Sequence, residues 1–426
     1  MTPASPFALL MPSYNQAHFI REAVESVLKQ EDPDWELWIL DNSSDETPKV
    51  MEAFTDSRIH FIHEPRRMDP GTCLNLLLEQ VRGRGRDFSY IHTDNRLLPC
   101  FVGDHRSALS QHPLCLAVCD YWEMDEQGRR TKVRRRPEPF PLRRLFSVDS
   151  IGVPFAATLA LADRLGGFSS DDLADDVLFV LRADAIGPRV HLHKPQMEYR
   201  VHEGSRFLSG GHLRVHRAIH KSVLKAYAER PAGVADPFEG GLDRARAFTD
   251  RAARMARAHL ALGTSPEPGV WIEGTGPASF WLAWAFGNAG APVAGFIGQE
   301  FETLLGVPVQ SSAPDGAWVV RPRLRGAAGL EQAVRWLLQG LSPLDHTLKR
   351  LPGDVMAGLL VPFQLQEPGA IRVKIRGEGP LAAYLAYAAE YLGDLEVAGF
   401  EGPSPWPQLP SFSTENVTTW DLDRPA

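Results

Sequence analysis

The chain has 426 residues, which at roughly 150 residues per domain implies two or three domains rather than one module. Lys and Arg number 45 against 53 Asp and Glu, a net charge of −8, with 23% charged and 44% hydrophobic residues; that balance excludes wholesale disorder and argues against a generic nucleic-acid binder. No apolar run reaches the roughly 18 residues of a membrane span, and the N-terminal MTPASPFALLMPSYN lacks the basic start and cleavage site of a secretory signal. A cytoplasmic location with no integral membrane segment is therefore expected.

In chain order, Phe7 to Met11 is a short apolar run ended by Pro12, and Ile20, Val24, Val27 and Leu28 recur at helical spacing. Leu37 to Leu40 predicts a buried strand ending on Asp41, followed by SSDET, whose residues favour a helix start. Ile59 to Ile62 and Phe88 to Ile91 predict two more strands, with an apolar helix around Leu74, Leu77, Leu78 and Val81 between them. This βαβαβαβ series predicts a parallel sheet with helices on both faces.

The pattern is less regular beyond residue 100. Cys115 to Trp122 reads as a strand, GRRTKVRRR as a polar hairpin, and Phe155 to Ala162 as an apolar segment. Cys73, Cys100, Cys115 and Cys119 form no CxxC pair, so packing thiols are expected rather than disulfides. Two helices, about His212 to Glu229 and Leu242 to Leu262, read as a connector over 212–263 between a domain at 1–211 and another at 264–426.

The last part holds an internal repeat over about 270–297 and 373–400. Val270-Trp-Ile-Glu-Gly-Thr-Gly-Pro277 followed by Val293-Ala-Gly-Phe296 matches Val373-Lys-Ile-Arg-Gly-Glu-Gly-Pro380 followed by Val397-Ala-Gly-Phe400. Each copy reads as strand, GxGP turn, helix, strand, with the proline at the first helical position. A duplicated Rossmann-like α/β domain is expected. Both GxGxxG matches stop short, at Ser279 and Ala382, and no ribose-binding acid follows the first copy, so an accessory role in acceptor docking or dimerisation is the leading reading there.

In open α/β sheets ligands sit beyond the carboxyl ends of the strands. Here those positions are Pro12, Ser13, Tyr14 and Asn15, then Asp41, then His92, Thr93, Asp94 and Asn95. A carboxylate at Asp41 or Asp94 could bond a base or hold a cation; a helix cap and a turn residue are the plain alternatives.

The segments MPSYNQAHFIREAVESVLKQ, ELWILDNSSDET, the Asn75 helix, SYIHTDNRLLP, GGFSSDDLADDVLFVLRADA and MEYRVHEGS resemble, in order and spacing, the family 2 glycosyltransferases of the GT-A fold, with the spore-coat polysaccharide enzymes as the nearest likeness within it. The resemblance implies an inverting transfer from a UDP- or dTDP-sugar to a hydroxyl of a glycan or other acceptor, in polysaccharide synthesis. It implies that Tyr14 lies beside the nucleotide base and that Asp41 accepts the pyrimidine N–H. Asp94 would be the acidic ligand of Mn²⁺ or Mg²⁺, Asp176 the catalytic base, and His202 a residue closing over diphosphate or metal. Many members carry DxDD where this chain has His92-Thr-Asp-Asn95, so metal binding only together with nucleotide is expected.

The physical need for such groups is independent of the family. A departing diphosphate needs its charge neutralised, and an attacking hydroxyl needs a base. Asp175 and Asp176 also sit where acids favourably oppose a helix dipole. Arg66 or Arg67 could meet a phosphate, and Asn75 either fixes a loop or touches the nucleotide. His191 and His193 read as surface residues. The basic run Arg129, Arg130, Lys132, Arg134, Arg135 and Arg136 reads as a solvated hairpin, with an acidic acceptor or peripheral membrane contact as its functional alternative; it lacks the aromatics of a nucleic-acid surface. Two rival functions stand: a catalytically weak GT-A scaffold, and a nucleotide-sugar enzyme using the C-terminal repeat.

Overall fold

The computed structural model describes residues 5–84, 87–136, 154–170, 175–202, 204, 211–232, 240–263, 269–317, 319–320, 359–361, 363–365, 369–401 and 417–422. The chain divides into two compact units, Met1–Ala235 and Asp236–Ala426. The division falls inside the stretch expected as a connector: the helix Gly211–Ala228 belongs to the first unit and the helix Gly241–Gly263 to the second.

The first unit is built on a nine-stranded mixed sheet. In chain order it contains β1 (Phe7–Ser13), α1 (Ile20–Leu28), β2 (Trp35–Asp41), α2 (Thr47–Met51), β3 (Ile59–His63), α3 (Pro70–Val81), β4 (Asp87–Tyr90), β5 (Arg96–Leu97), α4 (Phe101–Leu109), β6 (Leu116–Met124), β7 (Arg130–Arg134), β8 (Phe155–Thr158), α5 (Leu159–Leu165), α6 (Asp175–Ile186) and β9 (Arg189–Arg200). Strand order is β3-β2-β1-β4-β8-β6-β9-β5, with β7 paired to β6. The first four strands are parallel, as their helical crossovers require. Pro12 costs no ladder bond towards β4, because β1 and β4 pair only over Ala8 to Leu10.

Beyond β4, where the sequence pattern is less regular, the sheet becomes mixed. β8 runs antiparallel to β4 and β6, and β5 antiparallel to β9. β6 returns through β7 by a tight turn at Gly128, whose φ of 80° suits glycine, so no crossover helix is needed there. The apolar segment Phe155 to Ala162 also splits. Thr158 accepts a hydrogen bond from the Leu161 N–H at 3.2 Å and so caps a helix where one continuous apolar stretch was expected.

Ile20, Val24 and Val27 of α1 and Leu74 and Leu77 of α3 are fully buried in the same core as Leu9, Leu37 and Phe88, each such side chain contributing about 1.5–3 kcal/mol of hydrophobic stabilisation. All four cysteines carry free thiols, three of them buried.

In the second unit, β10 (Val270–Glu273), the helix Pro277–Asn288 and β11 (Val293–Ile297) form one βαβ unit, and β15 (Arg372–Arg376), the helix Gly379–Tyr391 and β16 (Glu396–Glu401) another. Both strand pairs are parallel, and both carry a register irregularity at equivalent positions, Val270/Trp271 and Val373/Lys374. Among the described residues the two copies lie in separate sheets, β12-β13-β11-β10-β14 and β16-β15-β17, where β12, β13, β14 and β17 are Thr303–Leu304, Val307–Gln310, Val319–Val320 and Thr418–Asp421. Pro277 opens its helix at the first position, whereas Pro380 is the second residue of Gly379–Tyr391. The two helices pack through stacked aromatics: Phe280 on Tyr387 at 4.5 Å and Trp281 on Tyr384 at 5.3 Å. The Tyr387 hydroxyl donates to the Thr275 carbonyl in the first copy's glycine turn at 2.9 Å.

Candidate functional site

Register across the parallel strands brings Ser13, Asp41 and His63 into one row at the sheet's carboxyl edge. Asp41 is completely buried. Its Oδ1 accepts the Ser43 hydroxyl at 2.5 Å, and its Oδ2 lies 2.9 Å from Nδ1 of His63. Ser43 in turn accepts the Asn15 N–H at 2.7 Å, and Asn15, at φ 53°, accepts the Ser44 N–H at 2.9 Å. The PSYN turn and the loop after β2 are thus one hydrogen-bonded unit. Tyr14 projects from it with 43% of its surface exposed, and the Arg67 guanidinium lies 4.9 Å from its ring centroid. Arg66 is exposed, and its carbonyl accepts the Asn42 amide at 3.1 Å.

Asp94 lies in the turn that follows β4. Its Oδ2 is 3.2 Å from Nε2 of His202, while its Oδ1 is buried with no hydrogen-bond partner among the described residues. The Nε2 of His92 and the hydroxyl of Ser13 are likewise buried without a partner among the described residues. Thr93 is buried beside them in sequence. Arg200, 1% exposed, holds the turn from below: its Nε donates to the Asp94 carbonyl at 2.9 Å, its N–H to the Asn95 side chain at 3.0 Å, and its Nη2 to Glu22 at 2.7 Å. Arg200 was not singled out by sequence reasoning, although it lies two residues before His202 at the end of β9.

Asp175 is buried and Asp176 half-buried at the start of α6, so Asp176 is the more accessible of the pair. Its Oδ1 accepts the Val177 N–H at 2.8 Å. Desolvation raises the Tyr199 phenol above its usual range, and the charges of Asp94, Tyr121, Asp176 and Glu123 push it further. Asn75 does not point freely at a ligand. Its Nδ2 donates to the Phe168 carbonyl at 2.9 Å and its Oδ1 accepts the Phe168 N–H at 2.8 Å, so the amide clamps the GGF turn.

The basic run is not a uniformly solvated hairpin. Arg129 pairs with Asp125 at 2.8 Å, Arg130 with Glu198 at 2.5 Å, Lys132 with Glu123 at 3.1 Å, and Arg134 with Glu123. Arg136 is 5% exposed, its backbone N–H on Asp120 at 2.9 Å and its Nε on the Cys119 carbonyl at 3.0 Å. Burial lowers its guanidinium's pKa, and Asp176 and Asp120 are among the charges that oppose this. His191, expected at the surface, has a side chain only 3% exposed and sits 2.9 Å from Asp120.

A divalent cation implied by the resemblance fits these residues. The unsatisfied, buried Oδ1 of Asp94 is the kind of hard oxygen such an ion takes, and His202 stands beside it. Among the described residues no three His, Cys, Asp or Glu side chains converge as a ligand set, so the remaining positions would fall to diphosphate oxygens and water.

Residues 8–160 match the family model described as glycosyl transferase family 2. TuaG of Bacillus subtilis strain 168, named as a teichuronic acid biosynthesis glycosyltransferase, is 32% identical over 92 residues, 21% of this chain and 36% of that protein. WfgD of Escherichia coli, named as a UDP-Glc:alpha-D-GlcNAc-diphosphoundecaprenol beta-1,3-glucosyltransferase, is 40% identical over 78 residues, 18% of this chain and 31% of that protein. The chain thus spans about a third of the length of these curated relatives. Among solved structures, S. aureus TarS residues 1–349 with UDP-GlcNAc aligns at TM-score 0.44 and 16% identity, covering 61% of this chain and 73% of that one. The mannosyltransferase PcManGT of Pyrobaculum calidifontis, with GDP-Man and Mn²⁺, aligns at TM-score 0.43 and 22% identity, covering 62% and 78%. Residues 8–160 are thus similar to glycosyl transferase family 2 domains, and in this chain they contribute to a mixed α/β sheet with acids at the carboxyl ends of its parallel strands.

Proposed function

We propose that this chain is an inverting, metal-assisted glycosyltransferase that moves a sugar from a UDP- or dTDP-sugar to a hydroxyl of a glycan or related acceptor in polysaccharide synthesis. The observation that carries the reading is Asp94, a carboxylate in the turn beyond a parallel strand end with one buried oxygen that has no partner among the described residues. The names of TuaG and WfgD support a polysaccharide product, and that of WfgD a UDP-linked donor.

In this reading the nucleotide lies over the PSYN turn, with Tyr14 beside its base and the Ser13 hydroxyl free to donate. Asp176 takes the acceptor's hydroxyl proton as that oxygen bonds to the anomeric carbon. The bond from that carbon to the diphosphate breaks with its electron pair leaving on the nucleotide, and a single displacement inverts the centre. A general base of this kind contributes about 10²–10⁴-fold. Mn²⁺ or Mg²⁺ held by Asp94 and His202 would supply Lewis-acid neutralisation of the departing diphosphate. Asn75 and Arg200 serve this site indirectly, by holding the GGF turn and the Asp94 turn.

We read the second unit as an accessory domain for acceptor docking or self-association. A scaffold reading draws on one observation, the single acid in His92-Thr-Asp-Asn95. Calorimetric titration of UDP and dTDP into the full chain, with and without Mn²⁺, followed by a UDP-sugar hydrolysis assay, separates the possibilities. Manganese-enhanced binding with turnover supports the transferase; binding without any turnover supports the scaffold; NAD(H) binding in place of UDP points to the GxGP repeat.

A further inference from the structure

Asp41 has no accessible surface and both of its oxygens are engaged, by Ser43 at 2.5 Å and by His63 Nδ1 at 2.9 Å. His63, by contrast, ends the edge strand β3 with 36% of its side chain exposed. The side chain at this edge that a ligand can reach is therefore the imidazole rather than the carboxylate behind it. A carboxylate only accepts hydrogen bonds, so Asp41 places the proton of a neutral His63 on Nδ1 and leaves a lone pair on Nε2.

We infer that His63 is the residue that reads the donor's base, its Nε2 accepting the imino N–H of uracil or thymine while buried Asp41 and Ser43 set its tautomer. This deepens the proposed nucleotide-sugar reading and rests on it. Two neighbouring features belong to the same subsite: the unpartnered, buried Ser13 hydroxyl lies in the same row as Asp41 and His63, and Tyr14 with Arg67 offers a flat surface beside it. The selectivity follows from the lone pair. Uracil and thymine carry N3–H, which Nε2 accepts; cytosine carries a bare N3, whose lone pair would face that of Nε2. Selection is then against cytosine, and against a uracil methylated at N3.

The test is titration of UDP, CDP and N3-methyl-UDP into the full chain with Mn²⁺ present, for the native protein, His63→Gln and His63→Phe. One lost or mismatched hydrogen bond at such a site corresponds to about a tenfold change in affinity. The native protein should favour UDP over CDP and N3-methyl-UDP by about that factor. His63→Gln, whose amide can turn to donate or accept, should bind both UDP and CDP with the preference erased. His63→Phe should weaken UDP about tenfold and leave CDP nearly unchanged, the retained CDP binding showing that the site is folded. A UDP preference that survives in both variants overturns the inference and leaves the donor reading standing. A native protein that binds none of the three nucleotides overturns both.

Discussion

Asn75 and Phe168, 93 positions apart, are joined by two hydrogen bonds, the side-chain amide of one closing on both the N–H and the C=O of the other. The contact is tight: a Cβ on Gly167, which sits at φ 84°, would meet Asn75 Oδ1 at 2.3 Å, and one on Gly71 would meet the Ser169 carbonyl at 1.9 Å. The start of α3 thereby fixes the turn that leads towards α6 and Asp176.

Asn75→Ala should therefore destabilise the first unit by about 1–3 kcal/mol, since it strands a backbone donor and acceptor in a half-buried place. Gly167→Ala should do so comparably, through backbone strain. Urea unfolding of the full chain, followed by tryptophan fluorescence, checks both; midpoints unchanged from the native protein would show that the clamp carries no stability.

Asp176→Asn should lower transfer by about 10²–10⁴-fold with nucleotide affinity nearly unchanged, because the lost group acts on the acceptor's proton rather than on the donor. The paired readouts are turnover with UDP-sugar and calorimetric UDP affinity. Normal turnover in this variant would move the base elsewhere.

Asp94→Asn should abolish the manganese-dependent part of UDP binding and leave a weaker, metal-independent part, since the buried Oδ1, without a partner among the described residues, is the kind of hard oxygen such an ion takes. Chelation of the native protein with EDTA should reproduce the variant's affinity. His202→Ala should show a smaller loss of the same kind.

His105 is fully buried on α4, its Nδ1 2.8 Å from the Phe101 carbonyl, and burial lowers its pKa to about 4 from 6.5. Because the unfolded chain binds this proton first, His105 costs the folded state stability as pH falls from about 6.5 to about 4, on the order of 3 kcal/mol in all. The penalty is absent above that window. His105→Phe should flatten this part of the profile, read as the difference between variant and native melting temperatures between pH 7 and pH 4.5.

Much of the first unit was legible from local pattern. Apolar runs bounded by Pro12, Asp41 and His92 predict strands, helical spacing predicts α1 and α3, and the order of the two predicts parallel pairing with its acids at one edge. These are short-range properties, set by side-chain periodicity and by the residues that end each run. The repeat was legible as two strand–turn–helix–strand copies, while the register irregularity that both copies share came only with the pairing of their strands.

What only the tertiary structure decided is which polar groups meet. His63 became part of the site because β3 pairs with β2 in the register that sets it opposite Asp41, and Arg136 left the solvated run because the chain beyond β7 turns it onto Asp120 and the Cys119 carbonyl. Asn75 found Phe168 across 93 residues. Sequence alone determined the kind of groups available at each strand end; burial and long-range pairing determined their partners, because a hydrogen bond depends on a few tenths of an ångström between residues whose separation along the chain carries no such information.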